Sequence, residues 1–387
     1  MPILIKGAHV YAPEDKGILD VLFVNDKIAA IGENLTNVLP GTDVIDAKGK
    51  ILTPGFFDQH IHVTGGGGEG GPSTRTPELQ LSELVACGTT NLVGVSGTDF
   101  TTRSIPNLLA KVQALKIEGV SAWMYTSNYH YPPTTLTGSV PNDLFMVPEV
   151  LGCKIALGNH RSSFPTLQNV LALLADIRVG GMISGKLGVL HIHLGNIPGP
   201  FEMFAEMVKM GMPIRHIRPT HCSREENVLN AAIGFALKGG RIDFTTGADC
   251  CLGKPELAVI KALEAGVDAQ LITMSTDGHG SMPRFNAKGE MVGLGVGGVE
   301  GNLEATLRLI KDYNMPIAKA LSFTTKNVAQ GLNLMNVGVV KTGAIGNACL
   351  FDADWTLTDV FSKGRQMMKD GEIIVRGTFE YDPAMND

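Results

Sequence analysis

Pro54-Gly55-Phe56-Phe57-Asp58-Gln59-His60-Ile61-His62 opens as an apolar run and closes on two histidines one residue apart. In an extended strand, residues i and i+2 face the same side. Both imidazoles therefore project together from the end of the run. A glycine-rich segment, Gly65 to Gly71 with Glu69 inside it, follows at once. Its glycines permit tight turns, and no Gly-Lys-Ser/Thr follows that would make it a phosphate-binding loop. A strand that delivers polar side chains at its C-terminal end, directly into a loop, is how parallel α/β barrels place their sites.

Working outward, apolar runs recur at 51–63, 89–96, 119–127, 153–158, 187–194, 213–221, 241–247 and 270–277. Amphipathic spacing predicts helices over 77–86, 105–118, 200–210, 225–238 and 255–265. Strands alternating with helices predict a parallel α/β architecture. Eight such runs fit a closed (β/α)8 TIM barrel better than an open sheet. The two ends read differently. Ile3-Leu4-Ile5, Val21 to Val24 and Ile28 to Ile31 are short runs broken by turn residues, and so are Ala348 to Phe351 and Ile373 to Val375. This is hairpin patterning. The expected organisation is a small discontinuous β-sandwich domain from 1–50 and 336–387 around a barrel at 51–335.

A chain of 387 residues with 44% hydrophobic content is long enough for a large barrel and a minor domain. Net charge is −6 with no basic block, which argues against nucleic-acid binding. Cys87, Cys153, Cys222, Cys250, Cys251 and Cys349 are scattered, without a CxxC pair. They read as reduced thiols, mostly buried, in a cytosolic protein. Lys6 interrupts the N-terminal apolar run almost at once, unlike a secretory signal. No stretch is long and apolar enough to span a bilayer. A cytoplasmic protein is expected.

His193 and His221 each end an apolar run, and Asp277 in Ser275-Thr276-Asp277-Gly278 ends another. Singly, a histidine is more often core or surface than ligand, and an Asp before Gly is usually a turn residue. Their shared position raises all three together. His191 lies one layer deeper on the face of His193 and reads as structural. His216 faces away from His221 by its odd spacing. Four histidines and an aspartate suit Zn²⁺. Two metals about 3.5–4 Å apart need a bridge, usually a carboxylate. None lies in the run that starts at Cys153, but Lys154 does. Buried and neutral, it could take up CO2 as a carbamate. On the residues alone, an ordinary lysine at a strand start is the simpler reading.

The stretch from Pro54 to His62 resembles the amidohydrolase superfamily signature. Gly65 to Glu69, Thr74 to Glu78, Gly97-Thr98-Asp99, Thr137 to Val140, Asn159 to Ser162, Pro219-Thr220-His221 and Ser275 to Gly278 extend the likeness. Within that superfamily the set resembles the isoaspartyl (β-aspartyl) dipeptidases over nearly the whole chain. The resemblance implies a (β/α)8 barrel and a binuclear zinc centre with two Zn²⁺ per subunit. His60 and His62 would hold one metal and His193 and His221 the other. Lys154, modified to its CO2-derived carboxylate, would bridge them. Asp277 would touch the first metal and act as general acid/base on a metal-bridged hydroxide, and Tyr129 would assist catalysis. Gly67, Gly68, Glu69, Thr98, Tyr129, Arg161, Arg224 and Ser281 would bind a β-Asp-X dipeptide. A homo-oligomer, with an octamer among its sizes, is implied as well.

Each substrate residue has a plainer reading. Glu69 could be solvated, Tyr129 could pack, and the arginines could make surface pairs. Two other functions compete. One is an amidohydrolase acting on cyclic amides or N-acyl amino acids, in the manner of dihydroorotases, hydantoinases or deacetylases. That reading gives no reason for Glu69 together with two site arginines. The other is a catalytically silent scaffold, against which the full set of metal-centre residues argues.

Overall fold

The computed structural model describes residues 1–36, 39–285 and 291–380. Six parallel strands, Phe56–Ile61, Thr89–Gly94, Ser121–Thr126, Val150–Leu157, Val189–Leu194 and Ile217–Thr220, hydrogen-bond side by side in chain order. Ile242–Thr245 and Ile272–Ser275 form a further parallel pair. Cys222 N donates to Asp243 O at 3.1 Å between the two groups. At the other edge, His62 N donates to Gly278 O at 2.8 Å and Asp277 N to His60 O at 3.1 Å. The parallel array therefore curls, and these bonds tie the loop after Ile272–Ser275 to the end of Phe56–Ile61 beside the paired histidines. Nearly every residue of these strands is buried. Strands covered on both faces read as near-continuous apolar runs, which is why the sequence marks them.

The intervening helices follow their apolar stripes. Ile105–Glu118 buries Ile105, Leu108, Val112 and Leu115, the i, i+3, i+4 spacing of a helix facing a core. Ser104 caps it by accepting from Asn107 N at 3.3 Å. Gly119 ends it at φ 131°, a conformation open to glycine. Each such leucine is worth about 1.5–3 kcal/mol when fully buried. Leu81–Ala86, Pro200–Lys209, Glu226–Ala236 and Pro255–Glu264 also lie where expected. Leu167–Ser184 and Gly301–Lys311 are helices that the sequence reading did not single out.

The run at 51–63 divides at Gly55. Ile51–Pro54 pairs with Ile3–Tyr11 and Ala348–Phe351, and only Phe56–Ile61 joins the parallel array. A Cβ on Gly55 would stand 2.1 Å from Thr90 Oγ1, so only glycine lets the chain pass between the sheets here. The terminal strands form one nine-stranded sheet running Glu372–Ile373, Arg365–Lys369, Leu357–Ser362, Ala348–Phe351, Ile51–Pro54, Ile3–Tyr11, Asp15–Val24, Lys27–Gly32, with Asp43–Asp46 also on Ile3–Tyr11. Their hydrogen bonding is that of a single sheet, where a sandwich was expected. Residues 381–387 of the expected C-terminal segment lie outside the described residues.

Cys87, Cys153, Cys222 and Cys349 are buried as expected, but Cys250 is half-buried and Cys251 exposed. That adjacent pair follows the strand Ile242–Thr245 in a loop that does not cover it. No described helix is long and apolar enough to cross a membrane.

Candidate metal centre and substrate cavity

The C-terminal ends of the parallel strands bring the expected residues together. His60, His221 and Asp277 place ligand atoms within 4.8 Å of one another, all buried. Asp277 Oδ1 lies 3.1 Å from His62 Nε2 and 3.3 Å from His60 Nε2, and its Oδ2 lies 3.8 Å from His221 Nε2. Lys154 Nζ is 3.1 Å from His60 Nε2. The His193 and His221 rings meet edge to face with centroids 4.4 Å apart. The six residues are thus contiguous: five come from strand ends or the residues just beyond them, and Lys154 comes from the middle of Val150–Leu157 rather than from the strand start expected.

Three of the four histidines are held from behind. His60 Nδ1 lies 2.8 Å from His191 Nε2, His221 Nδ1 lies 2.6 Å from Thr245 Oγ1, and His193 Nδ1 lies 2.7 Å from the Tyr129 hydroxyl. Each ring therefore turns Nε2 toward the centre. A metal-binding histidine is normally oriented through its other nitrogen in this way. His221 Nε2 and His62 Nδ1 are buried without a partner, and a buried polar atom without a partner is costly. Nitrogen and carboxylate donors of this kind suit a divalent cation such as Zn²⁺. The residues present fit a metal.

Burial, followed by the charge of Lys154, lowers His60 to about 3 and His62 to about 4. His193 and His221 are lowered by burial first, then by neighbouring His221 and Arg224 respectively. Burial thus favours the neutral imidazole at all four, the form that binds metal. Burial lowers Lys154 to about 7, opposed by Asp277. Burial works to raise the Asp277 carboxyl, but His221 and the hydrogen bonds of His60 and His62 prevail and hold it well below the carboxylate range.

Backbone geometry at the centre is unusual. His221 and Asp277 sit at φ 61° and 57°, in the left-handed region that non-glycine residues seldom occupy. Such strain persists where the surroundings enforce it, often at functional sites.

Beside the centre is a small chamber of about 20 Å³, lined among others by Gly67, Thr98, Tyr129, Arg161 and Ser281. It adjoins a vestibule of about 630 Å³, and Arg161, Arg224, Asp277 and Ser281 border both. That volume is in the range of small-molecule sites, about 300–1,000 Å³. Glu69 Oε1 is 3.3 Å from Arg161 Nη1 and accepts from the Ser281 hydroxyl, whereas its Oε2 is buried without a partner. Arg161 Nη1 also lies 3.4 Å from Thr98 Oγ1. Arg224 Nη1 is 3.2 Å from His193 Nε2, and its Nη2 is 3.4 Å from Asp277 Oδ2. Gly67 and Gly68 hold φ 78° and 93°, and a Cβ on Gly67 would stand 2.3 Å from Thr74 O. Neither Gly68 nor Glu69 is among the residues lining the chamber or the vestibule; Glu69 reaches the lining through Arg161 and Ser281.

Two residues in contact with the centre, His191 and Thr245, carried no functional mark in the sequence, and Asn159 stood within the family likeness without an assigned role. Asn159 Nδ2 lies 3.1 Å from His193 Nε2, and its Oδ1 accepts from Arg161 Nε at 3.2 Å. His191 shares a face with His193, so strand periodicity could have put it under suspicion. His216 lies in a turn away from the centre, bonded through Nδ1 to Gly188 O at 2.8 Å.

The chain belongs to the amidohydrolase family and is a hydrolase. The family profile, described as "Amidohydrolase family", matches residues 190–374. Over its full length the chain is similar to the β-aspartyl dipeptidase of Fervidobacterium islandicum AW-1. The crystal structure of that protein in complex with β-Asp-Leu shares 38% identity, with a TM-score of 0.90 over 99% of this chain and 100% of that one. A dihydropyrimidinase from Brevibacillus agri NCHU1002 shares the fold, with TM-score 0.68 at 15% identity over 99% of this chain and 100% of that one. A dihydroorotase from Syntrophus aciditrophicus is 44% identical over 90 residues, which is 23% of this chain and 18% of that protein. The chain thus matches less than a fifth of the length of that curated relative.

Proposed function

We propose that the chain is a binuclear zinc dipeptidase that hydrolyses the isoaspartyl amide bond of β-Asp-X dipeptides. The observation that carries the reading is Glu69 Oε2. It is a buried carboxylate oxygen without a partner, on a side chain whose other oxygen is already engaged. A substrate α-ammonium is the group that completes it, since buried charges need partners. Full-length similarity to a β-aspartyl dipeptidase supports the same substrate.

In this reading His60, His62, His193, His221, Asp277 and a carboxylated Lys154 hold two Zn²⁺. When bound, such a pair supplies hydroxide near neutral pH and polarises the scissile carbonyl. The protein's own groups do the rest. Asp277, ionised at neutral pH, takes the proton of the attacking water and returns it to the leaving amine. Burial pushes the Tyr129 phenol above its ordinary range, so it keeps its proton and can donate to the developing oxyanion. Glu69 holds the substrate amine. Arg161 and Arg224 grip its carboxylates with their planar forks, and Thr98, Ser281, Gly67 and Gly68 shape the pocket. Tyr129 and Thr245 hold the Nδ1 edges of His193 and His221, and Asn159 positions Arg161 through its Oδ1.

The architecture proposed with this function is the closed (β/α)8 barrel expected over 51–335 and the small domain from 1–50 and 336–387, with the first boundary moved to Gly55 because Ile51–Pro54 pairs with the terminal sheet. The protein would act in the cytoplasm as a homo-oligomer, whose size light scattering would give. The deciding assay compares turnover of β-Asp-Leu and α-Asp-Leu by the purified, zinc-loaded protein. Preference for the β isomer is expected, and equal or reversed preference would reject the reading. The local dihydroorotase match favours a second reading, cyclic-amide hydrolysis, which turnover of dihydroorotate without turnover of β-Asp-Leu would establish.

A further inference from the structure

At the opposite, N-terminal ends of the parallel strands lies a second cavity of about 520 Å³. Its lining includes Arg178, Lys186, Arg215, His216, Arg218 and Arg241, and no acidic residue. All six come from the places where helices return to strands. Arg178 is in the helix Leu167–Ser184, with Lys186 just beyond it. Arg215 and His216 form the turn before Ile217–Thr220, Arg218 is in that strand, and Arg241 immediately precedes Ile242–Thr245.

Asp268 and Glu149 act on Arg241 and Lys186 at longer range, but none of the cavity's arginines has a described carboxylate in direct contact. Among the described residues, the arginines that form ion pairs within 4.0 Å of a carboxylate are Arg75, Arg161, Arg224 and Arg308, none of them in this cavity. Lys186 is satisfied, because its ammonium donates to the carbonyls of Leu144, Val147 and Val150 at 2.7–2.8 Å. Arg241 donates to the carbonyls of Gln270 and Asn327. Arg218 is only part-satisfied. It is 7% exposed and donates through Nη2 to Gly331 O at 2.6 Å, while Nε and Nη1 are buried without partners. His216 Nε2 is likewise buried and unpartnered. Burial, and then the charge of Arg241, lowers the Arg218 guanidinium to about 9. A guanidinium in this setting gains from any anion that reaches it.

We propose that this cavity binds a small multivalent oxyanion, held by the guanidinium groups of Arg178, Arg215, Arg218 and Arg241. Planar guanidinium forks match the paired oxygens of phosphoryl and carboxylate groups alike. The site lies at the end of the strands away from Asp277, so its ligand is neither substrate nor product of the proposed reaction, and the proposal stands whether or not that reaction is correct.

The test uses the zinc-loaded protein at constant ionic strength, with sodium chloride as the reference salt. Calorimetric titration and melting curves are recorded with inorganic phosphate in one arm and succinate in the other. Saturable binding with a rise in Tm is expected in at least one arm, and the arm that binds tells phosphoryl from dicarboxylate ligands. Arg178→Ala/Arg215→Ala removes the two more accessible arginines and should weaken binding by about tenfold or more, leaving β-Asp-Leu turnover without added anion unchanged. Arg218→Met, read by the same titration, reports on the buried end. Absence of saturable binding in both arms overturns the proposal. So does binding that survives unchanged in the double variant, which would place the anion at the metal centre. If neither anion binds and the double variant changes the particle mass in light scattering, the cavity receives carboxylates of a second copy, and the proposal fails.

Discussion

His191 Nε2 lies 2.8 Å from His60 Nδ1, so one buried imidazole sets the direction of another. Tyr125 stacks on the His191 ring, with centroids 4.6 Å apart. Groups that orient a metal-binding histidine typically contribute about 10–100-fold to metal affinity. His191→Ala should therefore weaken zinc binding by about 10–100-fold in a competition titration with a chromophoric chelator. His191→Gln keeps a polar group at the contact and should recover part of the loss. Equal affinities in wild type and both variants would show that His60 needs no such support.

Lys154 is fully buried, within 3.1 Å of His60 Nε2, on a strand with no acidic residue to bridge two metals. Lys154→Ala should lose zinc, measured by atomic absorption, together with activity. Short carboxylic acids added to the variant should restore part of both by standing in for the missing carboxylate. Two equivalents of zinc and normal turnover in Lys154→Ala would refute the bridge.

Asp277 touches His60, His62 and Arg224 through its two oxygens. Asp277→Asn fills the same space but cannot accept and return a proton near neutral pH. It should retain metal and lose about 10²–10⁴-fold in kcat. A variant within a few-fold of wild type would move the proton transfer to another group.

Glu69 supplies the specificity prediction. In a β-aspartyl dipeptide the α-amino and α-carboxylate groups share one carbon, next to the bond to be cut. In the α isomer that carboxyl is consumed in the peptide bond. Fixing the amine with Glu69 and the carboxylate with an arginine aligns only one isomer, and a misplacement of about 1 Å costs roughly 10²-fold. Glu69→Gln should keep its metal but turn over β-Asp-Leu far more slowly. Deleting the substrate's α-amino group should harm wild type severely and Glu69→Gln much less. Equal losses in the two proteins would take the amine away from Glu69.

The parallel strands were legible because they are buried on both faces and end in polar residues, as Phe56 to His62 shows. The helix Leu167–Ser184 was harder to see, because Val179, Met182 and Ile183 are exposed and blur its apolar stripe. The division at Gly55 depends on Thr90, a contact made 35 residues away in the chain. The structure brings together the six residues expected at the centre. Five of them could be singled out by strand-end position and the family likeness, and Lys154 by the likeness alone. The supports could not: His191 reads as core, Thr245 as an ordinary strand residue, and Asn159 as part of a loop. Each acts through a partner on another strand, and a linear pattern does not record that contact. The half-burial of Cys250 and the exposure of Cys251 were missed because composition makes a cysteine look like core.

His221 and Asp277 hold backbone angles at which glycine would rest easily and they do not. Each such residue costs of order 1–3 kcal/mol, a sizeable part of a typical folding free energy of about 5–15 kcal/mol. Glycine at either position would relax the chain and remove the side chain that the proposed reaction requires there. Thermal robustness and chemical competence therefore oppose each other at these two peptide units. Heat tolerance in this scaffold has to be gained elsewhere, in the helices and the terminal sheet, where no torsion is committed to the reaction.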